Sequence, residues 1–413
     1  MRVLFSVSDW PGHWFPLVPL GWALQGFGHE VRVVCARSQA DGIARTGLTP
    51  VPVVEPGLEM SVQARMRNFW DAQQGGWPFD TPPPHPVTGE EMTALSDFDF
   101  AAFRATQRPR ILQATADGFD AVVGFARAWR PDLVVHDRMS IEGLLAARVL
   151  GVPAVLHLWG PHGTAEPEPE LRIVPGDPTG SFPRHGAGRM GPDQIEYVVD
   201  PCPAGIEPPV HATRLPVRYV PYNGPGPDPR LEPPGVGRPR VCVIWGNSPG
   251  RIYGRPGRLL PELAAAFAGL DAELVLVGGS ADLKDLQPAA QDMRVLTDMP
   301  LRLVLPGCDA VVHHGGAGAL MTAVAAGVPQ LGVPFAPEQV VNVRRLTDAG
   351  AGLSVPAHQS GLRETVRDRL GRLLTEPAHA TAARRLRDQL AARPSPADLV
   401  VRLEKLAAGA AHP

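Results

Sequence analysis

The feature that most restricts how this chain can fold is a strand–helix–strand pattern at its start. Residues 3–5 are apolar, leucines recur at helical spacing over residues 17–24, and valines follow at residues 31, 33 and 34. A strand, a helix and a second strand in this order predict a βαβ unit and therefore a parallel sheet. Strand-like stretches at residues 133–135 and 152–158 extend the same sheet.

The same pattern starts again in the second half, after a proline-rich segment. Residues 221–239 contain seven prolines, a stiff composition that cannot pair into a sheet. Strand-like stretches return at residues 241–245, 274–277 and 311–312. With 413 residues in the chain, we expect an α/β protein with two Rossmann-like βαβ domains. The expected boundaries are 1–222 for the first domain, 223–239 for the linker, 240–390 for the second domain, and 391–413 for a C-terminal helix that packs back on the first domain.

Charge and composition argue against several classes of function. The formal net charge is −3 and the basic residues are scattered, so neither nucleic acid nor a membrane is an expected partner. The amino terminus enters a strand at once, and no uninterrupted apolar run approaches the roughly 18 residues of a membrane span. Because the four cysteines are also scattered, we expect a cytoplasmic protein. No acidic cluster has metal-ligand spacing, so we expect neither a metal nor a cofactor.

The stretch most informative about chemistry is His-His-Gly-Gly-Ala-Gly at residues 313–318. It lies between an apolar strand and a helix, where glycines let backbone N–H groups approach an anion and the helix dipole favours one. We expect a phosphate there, with His314 donating to it. A tight turn around a buried histidine explains the glycines equally well. The lysine of a P-loop is missing, whereas a dinucleotide site stays open as an alternative although its glycine spacing is wrong.

Two adjacent polar residues follow the next strand-like stretch. Glu338 and Gln339 come shortly after an apolar run at residues 331–333. A carboxylate beside an amide suits the vicinal hydroxyl groups of a sugar. The second half of the chain therefore combines a phosphate-binding pattern with a sugar-binding one.

A second candidate site lies in the first half. His13 follows the first strand and Asp137 follows another, so both lie at the carboxyl edge of the sheet, where parallel sheets bind ligands. We expect the two side chains to meet. Asp137 would then fix the tautomer of His13, which could act as a general base. Two structural alternatives stay open: His13 caps the following helix, or Asp137 caps the helix that starts after Ser140.

Five motifs, taken together, resemble one known family. They are G-H-x-x-P at residues 12–16, G-H-E-V at 28–31, P-D-L-V-V-H-D at 131–137, H-H-G-G-A-G at 313–318 and E-Q-x-x-N at 338–342. In this order they resemble the inverting glycosyltransferases of actinobacterial natural-product pathways, which have the GT-B fold. The resemblance implies two Rossmann-like domains facing each other across a cleft. It also implies transfer of a deoxysugar from a nucleoside diphosphate, TDP in antibiotic pathways, to a hydroxyl group of an aglycone.

The resemblance also implies roles for individual residues. His13 deprotonates the acceptor, Asp137 orients His13, and no metal ion takes part. Glu338 and Gln339 bind the sugar hydroxyls. The diphosphate is held by His314, Gly316, Ala317 and Gly318, together with Ser248 from a second loop. Relatives usually have an aromatic residue just before the proline that matches Pro300, whereas this chain has Thr297, Asp298 and Met299 there, which leaves the choice between thymidine and uridine open.

Aromatic residues in two insertions, at residues 55–89 and near 160–193, suggest a pocket for a flat or greasy aglycone. The candidates are Trp70, Trp77, Phe79 and Trp159. Packing within the loops explains these aromatics equally well. Two other functions stay open: a non-catalytic accessory protein that activates a partner glycosyltransferase, and a nucleotide-sugar epimerase of the same architecture. The sequence leaves open whether the chain forms a homodimer.

Overall fold

The computed structural model describes residues 1–173, 175–229, 231, 237–267, 270–279 and 293–409. Residues 230 and 232–236 of the expected linker lie outside the described residues. So do residues 410–413 of the expected C-terminal helix.

The first half of the chain forms a seven-stranded parallel sheet in the order β3-β2-β1-β4-β5-β6-β7. Its strands are β1 Arg2–Ser6, β2 Glu30–Ala36, β3 Thr49–Val54, β4 Leu133–His136, β5 Ala154–His157, β6 Tyr197–Asp200 and β7 Thr213–Pro216. The helices described in this half are α1 Pro11–Trp14, α2 Val18–Gly26, α3 Ala40–Ala44, α4 Met60–Gln73, α5 Phe100–Trp129, α6 Ile141–Leu150 and α7 Ser181–Arg184.

The second half forms a six-stranded parallel sheet in the order β10-β9-β8-β11-β12-β13. Its strands are β8 Arg240–Trp245, β9 Glu273–Gly278, β10 Met293–Thr297, β11 Ala310–His313, β12 Gln330–Gly332 and β13 Gly352–Ser354. Its described helices are α8 Asn247–Tyr253, α9 Leu260–Phe267, α10 Ala317–Ala326, α11 Pro337–Asp348, α12 Leu362–Thr375, α13 Pro377–Ala391 and α14 Pro396–Ala407. The expectation of two parallel, Rossmann-like sheets is therefore confirmed.

Continuous apolar strands form these sheets because helices cover both of their faces. In β1, Val3 and Phe5 pack into the core on one face, and Leu4 packs into the core on the other. All three side chains are buried. A strand exposed on one face would instead alternate apolar and polar residues.

Each sheet has one point at which the strand order reverses direction. In the first sheet this point lies between β1 and β4, which pair in parallel with Ser6 opposite His136. In the second sheet it lies between β8 and β11, with Ile244 opposite His313. The loops leaving such strands diverge and open a crevice at the carboxyl edge, which is where open α/β sheets bind ligands.

The first insertion contains a helix that the sequence pattern did not indicate. We expected an insertion outside the sheet at residues 55–89, and within it the structure has the 14-residue helix α4. The helix is difficult to recognise from the sequence because its residues are polar on average and its buried apolar stripe, which includes Val62 and Phe69, is narrow. Within the described residues, no helix is long and apolar enough to span a bilayer.

The C-terminal helix α14 returns to the first half of the chain. It begins at Pro396 behind the N-cap Ser395, whose hydroxyl accepts a hydrogen bond from the backbone of Asp398. Leu399 and Leu403 are fully buried in the core beside α2. This short helix is therefore part of the first domain's core, although it follows the second domain in sequence.

We predict that Leu403→Ala lowers the free energy of unfolding by about 2–5 kcal/mol, because it leaves a cavity in a closed core. Val401 lies on the same helix with 41% of its surface exposed, so Val401→Ala should change the unfolding free energy by no more than about 0.5 kcal/mol. Urea unfolding of both variants measures the difference. Equal effects would show that α14 is not held against the core.

Candidate functional site

The first candidate site is a chain of hydrogen bonds at the switch point of the first sheet. The Ser8 hydroxyl lies between two side chains: it is 2.9 Å from Nδ1 of His13 and donates to Oδ2 of Asp137 at 2.9 Å. The Ser8 backbone N–H donates to the same carboxylate oxygen at 2.7 Å. All three residues are buried. Ser8 therefore connects Asp137 to His13.

This chain fixes the tautomer of the imidazole. An ionised carboxylate can only accept, so the Ser8 hydroxyl proton points to Asp137 and its oxygen accepts from Nδ1–H of His13. The lone pair of the imidazole is then on Nε2. The hydrogen bond that the His13 ring makes to the described residues is at Nδ1, and none is seen there at Nε2. This nitrogen is free to take a proton from a ligand.

The expectation that His13 and Asp137 meet directly is corrected by this geometry, because Ser8 stands between them. The alternative role of Asp137 as a helix cap is also present: its Oδ1 accepts from the backbone N–H groups of Met139 and Ser140, at 2.7 and 3.0 Å, just before α6. One carboxylate oxygen holds the start of a helix and the other holds Ser8. The two interpretations were not exclusive.

Burial sets the protonation of this site. Desolvation raises the pKa of Asp137 to about 6, although hydrogen bonds from Ser8, Met139 and Ser140 oppose the rise. Burial, helped by the nearby positive charge of Arg138, lowers the pKa of His13 to about 3. At neutral pH the pair is therefore an ionised carboxylate and a neutral imidazole, which is the form that a general base requires.

The second candidate site is the glycine turn between β11 and α10. His313 is fully buried and pins this turn: its Nδ1 accepts from the Gly315 N–H at 2.9 Å, and its Nε2 contacts Oε1 of Gln330 at 2.8 Å. Gly315 has a φ of 85°, and a Cβ there would lie 2.9 Å from Val343. Only glycine fits this position. The buried histidine expected in a tight turn is therefore His313. Its neighbour His314 is not needed to hold the turn.

His314 lies beside the start of α10 without a local partner for one ring nitrogen. Its Nδ1 is buried and makes no hydrogen bond to the described residues. Its ring packs edge-on against Trp245, with 5.9 Å between the centroids. Gly316 is the N-cap of α10 and provides no side-chain cap, so the first-turn N–H groups at Ala317 and Gly318 stay available. An unpartnered imidazole nitrogen beside an uncapped helix N-terminus suits an anion.

Three other expected donor residues lie close to this turn in the fold. Ser248 is in the first turn of α8, directly after β8 at the same switch point. Glu338 and Gln339 lie in the first turn of α11. The side-chain oxygen of Gln339 accepts from the Phe335 N–H at 2.9 Å, so it caps the helix. Asn342, one turn later, donates to the Gly315 carbonyl at 3.1 Å and ties α11 to the glycine turn.

The two sites face each other through Trp159. Its ring is stacked on His13 with 3.9 Å between the centroids and 8° between the planes. Its indole N–H donates to Oε1 of Glu338, in the other half, at 2.8 Å. The next residue, Gly160, packs so closely on the start of α10 that a Cβ there would lie 2.6 Å from that of Ala317. The two switch points therefore share one interface.

The other expected aromatic residues pack elsewhere. Trp70 is 46% exposed and contacts Phe100. Trp77 stacks on Tyr253 of the second half, and Phe79 joins the hydrophobic core of that half. This packing gives no support to the three residues as lining for an aglycone pocket. Of the four candidates, Trp159 is the one that contacts His13.

Sequence reasoning missed Ser8 and Arg138. Ser8 is two residues beyond β1, and serine is common in such turns, so only its position opposite Asp137 gives it meaning. Arg138 is buried beside Asp137, and its guanidinium lies 5.3 Å from the centroid of the Trp159 ring. Arginine is rarely buried unless it is paired. An arginine next to an aspartate at the end of an apolar strand is therefore a signal that could have identified Arg138.

Residues 107–246 match the N-terminal domain, and residues 261–406 the C-terminal domain, of the erythromycin biosynthesis protein CIII-like family. TDP-daunosamine transferase DnrS of Streptomyces peucetius is 35% identical, covering 99% of this chain and 97% of its own. The 3-alpha-mycarosylerythronolide B desosaminyl transferase of Saccharopolyspora erythraea is 32% identical over both complete chains.

Solved structures agree with the sequence matches. Spinosyn rhamnosyltransferase SpnG, complexed with thymidine diphosphate, is 28% identical with a TM-score of 0.75, covering 98% of this chain and 100% of its own. The same enzyme complexed with the spinosyn aglycone has a TM-score of 0.74 at the same identity and coverage. The expected GT-B architecture and the expected glycosyltransferase class are thereby confirmed. The accessory and epimerase alternatives find no support among these relatives.

The buried histidines predict acid-sensitive folding. Burial lowers the pKa of His136, His157 and His313 to about 4, and that of His13 and His314 to about 3. Below about pH 6.5 the unfolded histidines bind protons that the folded ones do not, so stability falls as pH drops. Asp137 and Glu142, whose pKa values burial raises to about 6 and 7, oppose this loss.

We therefore predict that His157→Gln removes about 2 kcal/mol of the stability difference between pH 7 and pH 5. His211, which is exposed, provides the matched control His211→Gln. Urea unfolding at the two pH values measures the effect. An unchanged pH dependence in His157→Gln would mean that this histidine is protonated while folded.

Proposed function

The chain belongs to the erythromycin biosynthesis protein CIII-like family of natural-product glycosyltransferases, and from this membership we propose a specific reaction. The enzyme transfers a deoxysugar from TDP to a hydroxyl group of a hydrophobic aglycone, with inversion at the anomeric carbon. His13 is the general base, and no metal ion is required. TDP is proposed as the nucleotide because DnrS is named a TDP-daunosamine transferase and the SpnG structure holds thymidine diphosphate.

The observation that carries this proposal is the shared interface of the two switch points. His13 and Glu338 both contact Trp159, while Gly160 packs on the first residue of α10. A base on one side and an anion-binding helix terminus on the other leave the reacting centre between them. This is the arrangement that an in-line displacement needs.

On the acceptor side, Nε2 of His13 removes the proton of the attacking hydroxyl as its oxygen bonds to the anomeric carbon. The imidazolium that forms keeps Nδ1–H on Ser8, and the Asp137 carboxylate stabilises its charge through that hydroxyl. The proton then leaves to solvent. The acceptor attacks the face opposite the nucleotide, so the configuration inverts.

On the donor side, the bond between the anomeric carbon and the diphosphate oxygen breaks, and its electron pair stays on the diphosphate. The N-terminus of α10 and a hydrogen bond from His314 stabilise this growing charge. Burial keeps His314 neutral in the free enzyme, lowering its pKa to about 3, so one ring nitrogen carries the proton for that bond. TDP is the second product.

The proposed relay predicts graded losses of turnover. In an assay of the purified chain with a TDP-sugar and an aglycone panel, His13→Ala should lower kcat by ~10²–10⁴-fold. Ser8→Ala should lower kcat by about 10- to 100-fold, because the link to the Asp137 charge is lost. Ser8→Thr keeps the hydroxyl and is the matched control. Near wild-type turnover in His13→Ala would remove it as the base, and product NMR showing retained configuration would exclude the single displacement.

The donor half predicts a separate change in binding. His314→Ala should weaken TDP by about tenfold and leave thymidine affinity unchanged, because the lost bond is to the diphosphate. Isothermal titration calorimetry with both ligands makes the comparison, with His211→Ala as control. If TDP bound His314→Ala and the wild type equally, His314 would not be a phosphate ligand.

A further inference from the structure

Trp159 contacts the proposed base His13 in one half of the chain and the proposed sugar ligand Glu338 in the other. Among the residues the structure describes, it is the one aromatic side chain with both contacts. It follows β5 and is 3% exposed. Its ring face lies on His13, and its indole edge donates to Glu338. The ring face makes the contact with His13, and the indole N–H makes the contact with Glu338. The two contacts can therefore be separated by substitution.

The two carboxylate oxygens of Glu338 differ in their hydrogen bonds. Oε1 accepts from the Trp159 indole at 2.8 Å, and Nδ2 of Asn342 lies 3.5 Å from the same atom. Both hydrogen bonds that Glu338 makes with its side chain to the described residues use Oε1, and none uses Oε2. The carboxylate is thus fixed at one oxygen and available at the other, beside the turn that Asn342 also holds.

Charged side chains that contact the Trp159 ring also hold it in place. The guanidinium of Arg138 lies 5.3 Å from the centroid of the ring and is itself buried. It is held by His162, whose Nδ1 and carbonyl oxygen lie 2.6 and 2.7 Å from its two terminal nitrogens. A cation on an indole face and a carboxylate at its N–H edge are each favourable interactions with the ring. Trp159 is therefore held from several directions.

We propose that Trp159 is a positioning residue that aims the free Oε2 of Glu338 at a hydroxyl of the donor sugar while its ring fixes the plane of the His13 imidazole. The inference rests on the proposed function, since it needs a donor sugar at Glu338 and a base at His13. It assigns Trp159 to the alignment of donor and base, in place of the aglycone contact expected from sequence. Substrates of this subsite are sugars that carry a hydroxyl group within reach of Oε2.

A purely structural tryptophan would show different behaviour. Phenylalanine would fill most of the same space and keep the stack on His13, so a packing role would survive Trp159→Phe. The indole N–H is the part that a packing role does not need. Its removal would free Oε1 to rotate, and the alignment of the carboxylate toward the sugar would be lost.

The test compares TDP-glucose with TDP as calorimetric probes. Trp159→Phe should weaken the affinity for TDP-glucose about fivefold to tenfold and leave that for TDP unchanged, because the proposed ligand of Glu338 is the sugar, which TDP lacks. In a Glu338→Ala background, Trp159→Phe should have no further effect, because the partner of the indole is already gone. Equal affinity of wild type and Trp159→Phe for TDP-glucose, or additive losses in the double variant, would overturn the inference.

Turnover tests the second contact. With saturating substrates, Trp159→Leu, which has no ring to stack on His13, should have a kcat about tenfold or more below that of Trp159→Phe, which keeps a ring there. Thermal melting confirms that both variants are folded. Equal kcat in the two variants would contradict the role of the ring.

The controls separate this inference from the proposed function. Trp77→Phe changes a tryptophan that stacks on Tyr253 and should alter neither TDP-glucose affinity nor kcat. If the wild-type chain neither binds TDP nor transfers a sugar, the proposed function fails and this inference fails with it. If the wild type does both and Trp159→Phe behaves like it, only the role of Trp159 is lost.

Discussion

The four hydrogen bonds accepted by the Asp137 carboxylate are the interaction on which the rest of the site depends. Two come from the backbone at the start of α6 and two from Ser8. The parallel pairing of β1 with β4 puts Ser8 within reach, so the strand order of the sheet determines the chemistry. Without that pairing, His13 would have no connection to a negative charge. Local capping, sheet topology and the proposed base are therefore one structural unit.

Burial shifts the pKa values of the acidic and the basic groups of the site in opposite directions. It raises the pKa of Asp137 and lowers those of His13 and His314. Both histidines are neutral at physiological pH. His13 can therefore accept a proton, and it does not repel the nearby Arg138. At the proposed donor site, the dipole of α10 would supply positive character without a charged side chain and without reorganisation. The diphosphate would then bring most of the charge into the interface.

Much of the fold could be predicted from the sequence because parallel strands are continuous apolar runs, and both sheets were found this way. Residues at strand ends, such as His13 and Asp137, could also be placed at the correct edge. Ser8 could not be found, because its role depends on a residue more than a hundred positions away. Trp77 and Phe79 were expected near an aglycone, but they pack on the second half. Composition cannot say which side of an interface an aromatic side chain contacts.

In the proposed site, Asp137 acts through Ser8 to leave Nε2 of His13 without a proton. Solution NMR of the ¹⁵N-histidine-labelled chain at pH 7.5 measures this directly, with His13→Gln assigning the signal. We predict a protonated, pyrrole-like Nδ1 and an unprotonated, pyridine-like Nε2, with a shift toward the other tautomer in Ser8→Ala. A wild-type His13 with its proton on Nε2, or with both nitrogens protonated, would contradict it.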